Sequence, residues 1–203
     1  MIPPTLGDDD LLRLAMAGDE EAFLALYRRR QGGIYRFALH MSGHPDVAEE
    51  VTQEVFLALI RDGSRYDAAR GSVSAFLYGI ARNHLLRRLE RDRHSVPLAE
   101  NLSQDRERGM ADGFFLSTVD PLADLTRAEV IERVRQAVLA LPAAYREVVV
   151  LCDLQELDYG QAARVLDCPV GTVRSRLHRA RALLTEKLRA LRQAEMKGIG
   201  NRE

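Results

Sequence analysis

The chain has 203 residues, with 29 Lys and Arg against 30 Asp and Glu, for a net charge of −1. That length allows one or two domains with real cores, and the balanced charge excludes a globally basic coat for nucleic acid. Two cysteines, Cys152 and Cys168, are too few for a disulfide framework and have no paired metal spacing; they read as small buried residues of a reducing compartment. No apolar run follows a basic start and none approaches the ~18 residues of a bilayer span, so a cytoplasmic protein with no direct membrane insertion is expected.

Taken in chain order, the sequence reads as helical nearly throughout. Asp8 to Ala17 is a short helix stopped at Gly18, and Asp19 caps a second in which Phe23, Leu26, Tyr27, Ile34, Phe37, Ala38 and Met41 keep a core stripe up to Ser42-Gly43. His40 and His44 sit four apart, a metal-ligand spacing on a helix, but Ser42-Gly43 and Pro45 break the helix there and no third ligand stands out. No metal and no cofactor are expected. Asp46-Val-Ala-Glu49 is a capping box opening a helix with Val47, Val51, Val55 and Leu59 inward. After a loop from Asp62 to Gly71, Ser72 caps a helix with Val73, Phe76, Leu77, Ile80 and Ala81 inward. Its later part carries Arg82, Arg87, Arg88, Arg91 and Arg93 interleaved with Asn83 and His84.

Between about 94 and 120 the periodicity collapses into a polar stretch with one apolar cluster, Phe114-Phe115-Leu116. A structureless run of that length inside one compact domain is unusual, so it reads as a flexible linker. The expectation is an all-α chain of two small helical domains: 1–94, a linker at 95–120, then 121–193, with a tail at 194–203. Val148-Val-Val-Leu-Cys152 looks strand-like, but its helical flanks argue for a buried helix segment.

The strongest signal comes next. Asp158-Tyr-Gly-Gln161 is a capping box, Ala162, Ala163, Val165 and Leu166 form a short helix, and Asp167-Cys168-Pro169 interrupts it. In the following helix Val173, Leu177, Ala180 and Leu184 make one apolar stripe, while Arg174, Ser175, His178, Arg179 and Arg181 take the other faces. From Pro169 to Arg192 there are seven Lys or Arg against one acid, Glu186. A helix of one sign repels itself and needs an oppositely charged partner, for which the DNA phosphate backbone is the usual choice. A short helix, a turn and a basic second helix make a helix-turn-helix.

Four stretches in order resemble the extracytoplasmic-function group of the bacterial sigma-70 family. Ala48-Glu-Glu-Val-Thr-Gln-Glu-Val-Phe-Leu57 is similar to the family's core-binding helix, and Ser74-Ala-Phe-Leu-Tyr-Gly-Ile-Ala-Arg-Asn83 to its promoter-melting helix. Leu141-Pro-Ala-Ala-Tyr-Arg-Glu147 and Cys168 to Arg181 resemble the start and recognition helix of its second domain. The resemblance implies that Glu50, Gln53 and Glu54 dock on the β′ clamp helices of core RNA polymerase, whose β subunit is a further partner. It implies that Asp67, Ala68, Ala69 and Arg70, with Asn83, Arg87, Arg88 and Arg91, handle the −10 element, and that Arg174, Ser175, His178 and Arg179 read the −35 element or its phosphates. Promoter DNA and an anti-sigma factor are the other implied partners, with no small-molecule substrate and no catalysis. Phe76 stands where family members often carry Trp, and Asp167 where Gly is common. A stand-alone helix-turn-helix regulator is the alternative; it accounts for the second domain but leaves the first without a sensor role.

Overall fold

The computed structural model describes residues 6–94 and 121–199. The linker reading and the Phe114-Phe115-Leu116 cluster lie outside the described residues. Among the described residues, eight α-helices run in order: α1 Asp8–Met16, α2 Glu20–Ser42, α3 Pro45–Asp62, α4 Val73–His94, α5 Pro121–Leu139, α6 Ala143–Val149, α7 Tyr159–Leu166 and α8 Val170–Ile199. The chain is all-α, in two helical domains, and among the described residues there is no strand.

Local chemistry sets most boundaries. The Asp19 carboxylate accepts from the Ala22 amide at 3.0 Å, and the Ser72 hydroxyl accepts from the Ala75 amide at 3.2 Å, so both expected caps are made. At α3 the expected capping box gives way: the helix begins one residue earlier, at Pro45, with His44 as N-cap and no side-chain cap bond. Proline suits that first position because its fixed φ is helical and its missing N–H needs no partner. α2 ends on Gly43 in the left-handed conformation, which puts His44 beyond the helix and separates it from the face that carries His40. His40 Nδ1 lies 2.6 Å from the Arg36 carbonyl oxygen; burial lowers its pKa.

Val148 to Cys152 is helical, as its flanks suggested. α6 passes into one π-helical turn, Val150–Leu154, and Val148, Val149, Val150 and Leu151 are all buried. Full burial on every side explains an apolar run with no visible period.

The core is continuous across both domains. Leu11, Leu26, Phe37, Val55, Leu59, Val73 and Leu77 join Val138, Leu141, Leu151, Leu166, Val173 and Leu177 in one apolar cluster. α4 faces α7, and α2 faces α5, α6 and the π-turn. Along the seam, the Tyr78 hydroxyl donates to Gln155 Oε1 at 2.8 Å, and Arg146 Nη1 donates to the Met41 carbonyl at 2.7 Å. Arg82 Nε donates to Glu147 Oε1 at 2.7 Å, and Glu147 is only 8% exposed. Gly33 is what lets α2 approach this seam: a β-carbon there would fall 2.8 Å from the Tyr78 hydroxyl.

Candidate nucleic-acid interface

Three surfaces carry the residues singled out from sequence. The first is the outer face of α8. Arg174, Ser175, His178 and Arg179 are all exposed, because Val173, Leu177 and Ala180 anchor the opposite side in the core. The helix-turn-helix that presents this face is built by local bonds. The Gln161 amide donates to Asp158 Oδ1 at 2.8 Å and the Asp158 amide to Gln161 Oε1 at 3.4 Å, which completes the capping box of α7. Asp167 ends α7 in the left-handed region at φ 50, ψ 52; aspartate tolerates that conformation at small cost, so the turn forms without the glycine common in the family. The Arg174 guanidinium lies over the Tyr159 ring, 5.7 Å from its centroid, and Ser175 Oγ donates to the Thr172 carbonyl at 3.1 Å. Arg181, by contrast, is taken up by Asp153 at 2.6 Å.

The second surface is a pocket of about 470 Å³ between the Asp62–Gly71 loop, α4 and the end of α7. Asp67, Arg70 and Asn83 line it, with Arg65, Tyr66 and Phe76. Ala68 and Ala69 form, with Arg70, a tight 3-10 turn, held by the Asp67 carboxylate, which accepts from the Ala69 amide at 2.9 Å. Tyr66 braces the loop. Its hydroxyl contacts the Asp9 carboxylate and also the Gly71 carbonyl oxygen, at 2.9 Å. Burial, and then Asp9, hold that phenol well above its ordinary pKa. The Tyr66 and Phe76 rings sit 5.5 Å apart at 56°. Phe76 and Ile80, expected inward, are half-buried; Ala75, Tyr78 and Leu85 complete the core stripe of α4, which leaves Phe76 free to form pocket wall.

The third surface is a cleft of about 710 Å³ between α3 and α4. Glu50 and Glu54 line one side and Arg87, Arg88 and Arg91 the other. Arg88 and Glu50 form an ion pair across it, and Gln53 is exposed on the same helix. The four residues expected to flank the −10 element are therefore divided: Asn83 joins the loop pocket, while the three arginines face the acids of α3. Sequence reasoning missed Arg164 of α7, which lines the loop pocket. No local pattern could have found it, since its partner surface lies about ninety residues earlier in the chain.

Among the described residues no group of three or more metal-ligating side chains gathers, and no helix is long and apolar enough to cross a membrane. The Cys152 thiol is pushed up to about 11, by burial first and then by Asp153.

Comparison with known proteins fits this geometry. Residues 26–95 match the family description Sigma-70 region 2, and residues 131–184 match Sigma-70, region 4. The chain is 30% identical over 174 residues to the ECF RNA polymerase sigma factor SigW of Bacillus subtilis, covering 86% of this chain and 92% of that one. It is 35% identical over 184 residues to SigM of Mycobacterium tuberculosis, covering 89% and 84%. It is also 31% identical over 189 residues to the sigma-E factor of Escherichia coli, covering 92% and 96%. Among solved structures it resembles CnrH in complex with the cytosolic domain of CnrY, at TM-score 0.64 and 26% identity over 90% of this chain and 97% of that one. The fold also resembles the sigma factor RpoE bound to the anti-sigma factor NepR from Bartonella quintana, at TM-score 0.57 and 21% identity over 78% and 91%. With two domains in the sigma-70 order and identity of this level along nearly the whole chain, the protein belongs to the ECF sigma factors, the RNA polymerase subunits that direct transcription initiation.

Proposed function

We propose that this chain brings core RNA polymerase to promoters through a division of labour among the three surfaces. Glu50, Gln53 and Glu54 on α3 dock on the β′ clamp helices, with the β subunit as a second contact. The loop pocket, with Asp67, Ala68, Ala69, Arg70 and Asn83, takes an unstacked base of the −10 element. Arg87, Arg88 and Arg91 hold the adjoining strand. Arg174, Ser175, His178 and Arg179 read the −35 element. The observation that carries the reading is the outer face of α8: four exposed polar or cationic side chains on a helix whose other side is locked in the core. Duplex DNA offers such a helix base edges in its major groove and phosphates beside it. A melted strand instead offers single bases to a pocket with aromatic walls, and Tyr66 and Phe76 supply those walls.

The chain acts without catalysis of its own, as a cytoplasmic protein. The sigma factor RpoE from Bartonella quintana, whose fold is similar, is held by the anti-sigma factor NepR, and the same class of partner is expected here. The test is run-off transcription with purified core polymerase on a pooled bacterial promoter library. Discrete start sites that depend on the added chain are the expected result. Absence of transcripts, together with failure to co-elute with core enzyme, would overturn the reading; tight sequence-specific DNA binding without polymerase would favour a stand-alone regulator.

A further inference from the structure

Helix α1 has no part in the three-surface division of labour, and it lies ahead of the region 2 match, which begins at residue 26. Its position is nonetheless closely fixed. Leu11 and Leu12 are buried in the core. The Asp8 carboxylate, only 9% exposed, meets Arg29 Nη1 at 2.9 Å and pairs with Arg30 as well. Arg30 Nη1 in turn reaches the Ser74 hydroxyl at 3.5 Å, in the first turn of α4. With Asp8 turned toward α2, the next residue points about 100° further around the helix. That residue is Asp9, and its carboxylate accepts from the Tyr66 hydroxyl, which also lies 2.9 Å from the Gly71 carbonyl oxygen. Tyr66 and Gly71 both belong to the Asp62–Gly71 loop, so their contact alone would let the pair shift together. Asp9 ties them to a helix outside the loop. Met16 acts at the loop's other end. Seven residues after Asp9, it shares the same helix face about 10 Å further along. It packs so closely on Gly63 that a β-carbon there would run into Met16 Sδ. One face of α1 therefore grips the loop at its start and at its end.

We propose that α1 is a positioning element for base capture: Asp9, through the Tyr66 hydroxyl, and Met16, through Gly63, fix the loop and so set how sharply the chain discriminates the captured base. This rests on the assignment of the loop pocket to the −10 strand. Neither Asp9 nor Met16 lines that pocket, so both act through the loop and not on the DNA. A wall held in place rejects a wrong base by leaving its polar groups unpaired, whereas a loop free to shift adapts to it. Two plainer roles make different predictions. If α1 only covers the core, or if its first-turn acids only complement the helix dipole, changes at Asp9 alter stability and leave base discrimination untouched.

The test uses the full-length chain assembled with core polymerase. The probes are fluorescein-labelled single strands carrying the −10 element mapped by run-off transcription, either cognate or with one base replaced. Anisotropy gives the ratio of cognate to substituted affinity. Asp9→Ala should lower that ratio about 3- to 10-fold, the equivalent of one hydrogen bond. Asp9→Asn keeps an oxygen for the Tyr66 hydroxyl and should stay within about 2-fold of wild type. Because Asp9 acts through that hydroxyl, adding Tyr66→Phe to Asp9→Ala should cost nothing further. Met16→Ala, which loosens the loop's other end, should lower the ratio in the same direction. The proposal is overturned by an unchanged ratio in Asp9→Ala or in Met16→Ala, by equal loss of affinity for every strand, by an Asn variant no better than Ala, or by additive losses in the double variant. Asn83→Ala, on the pocket wall itself, separates the two readings. If it lowers the ratio and Asp9→Ala does not, the positioning role alone fails; if it leaves the ratio unchanged, the pocket assignment fails and the proposal falls with it.

Discussion

Replacing Arg82 with Met should destabilise the free protein by leaving the Glu147 carboxylate alone in the seam between the domains. The two charges meet at 2.7 Å, and their side chains are 21% and 10% exposed. At an effective dielectric of 20 the gross attraction is roughly 6 kcal/mol, most of which is cancelled by the water both groups gave up. The net value of the pair is therefore small, but breaking it is expensive, because one buried charge keeps its desolvation cost and loses its partner. Such truncations cost about 3–5 kcal/mol in dry interiors. Arg82 retains a wet edge, and water entering there places the expected loss near the lower end, about 2–3 kcal/mol. Adding Glu147→Gln removes the stranded charge and should restore about 1–2 kcal/mol. Urea unfolding followed by circular dichroism, on wild type, both single variants and the double, gives the full cycle. A single-variant cost below about 0.5 kcal/mol, the size of an ordinary surface change, or a double variant no better than Arg82→Met, would refute the reasoning.

Arg179→Ala should weaken promoter-directed transcription by roughly 5- to 150-fold, the equivalent of one base contact of about 1–3 kcal/mol, while co-elution with core polymerase is unchanged; loss of core binding would contradict the division of labour. Tyr66→Phe keeps the ring beside Phe76 but removes the hydroxyl that braces Gly71 against Asp9. It should lower discrimination between cognate and substituted −10 strands, with −35 duplex binding unaltered; equal loss on all strands would indicate general loosening instead. With its thiol at about 11 against an ordinary 9.0, Cys152 should alkylate about 100-fold more slowly at pH 8 in the native chain than in urea, since thiolate is the reacting form. The shift is upward, so its stabilising contribution is complete below pH 9 and is lost as pH rises toward 11. Peptide mapping after iodoacetamide treatment reads the rates, and equal rates would contradict the burial argument.

Much of this was legible locally. The capping box at Asp158 and Gln161, the turn at Asp167 and the apolar stripe Val173, Leu177, Ala180 all depend on residues within one helical turn of each other, and side-chain periodicity reports them directly. What was not legible is what lies between the domains. Arg82 reads as one more member of a basic cluster, and Glu147 as one acid in a polar helix start; nothing in either neighbourhood signals that they meet across sixty-five residues of sequence. Phe76 packs against the core as its spacing implies, but its second role as pocket wall was hidden for a related reason. It falls on the inward stripe by spacing, but the neighbouring loop opens a pocket there, and periodicity cannot distinguish a core wall from a cavity wall.

The shared seam has a colloidal consequence. Phe37, Met41 and Leu85 line its edge beside Ala143, and Phe37 and Leu85 are buried. A molecule with its domains apart must show part of this lining to water. Contiguous apolar patches of that kind favour self-association, so a chain waiting for polymerase is best kept dispersed in the closed form. Variants that loosen the seam should then precipitate at lower concentration, and the polymerase surface that receives each domain should also cover what parting uncovers.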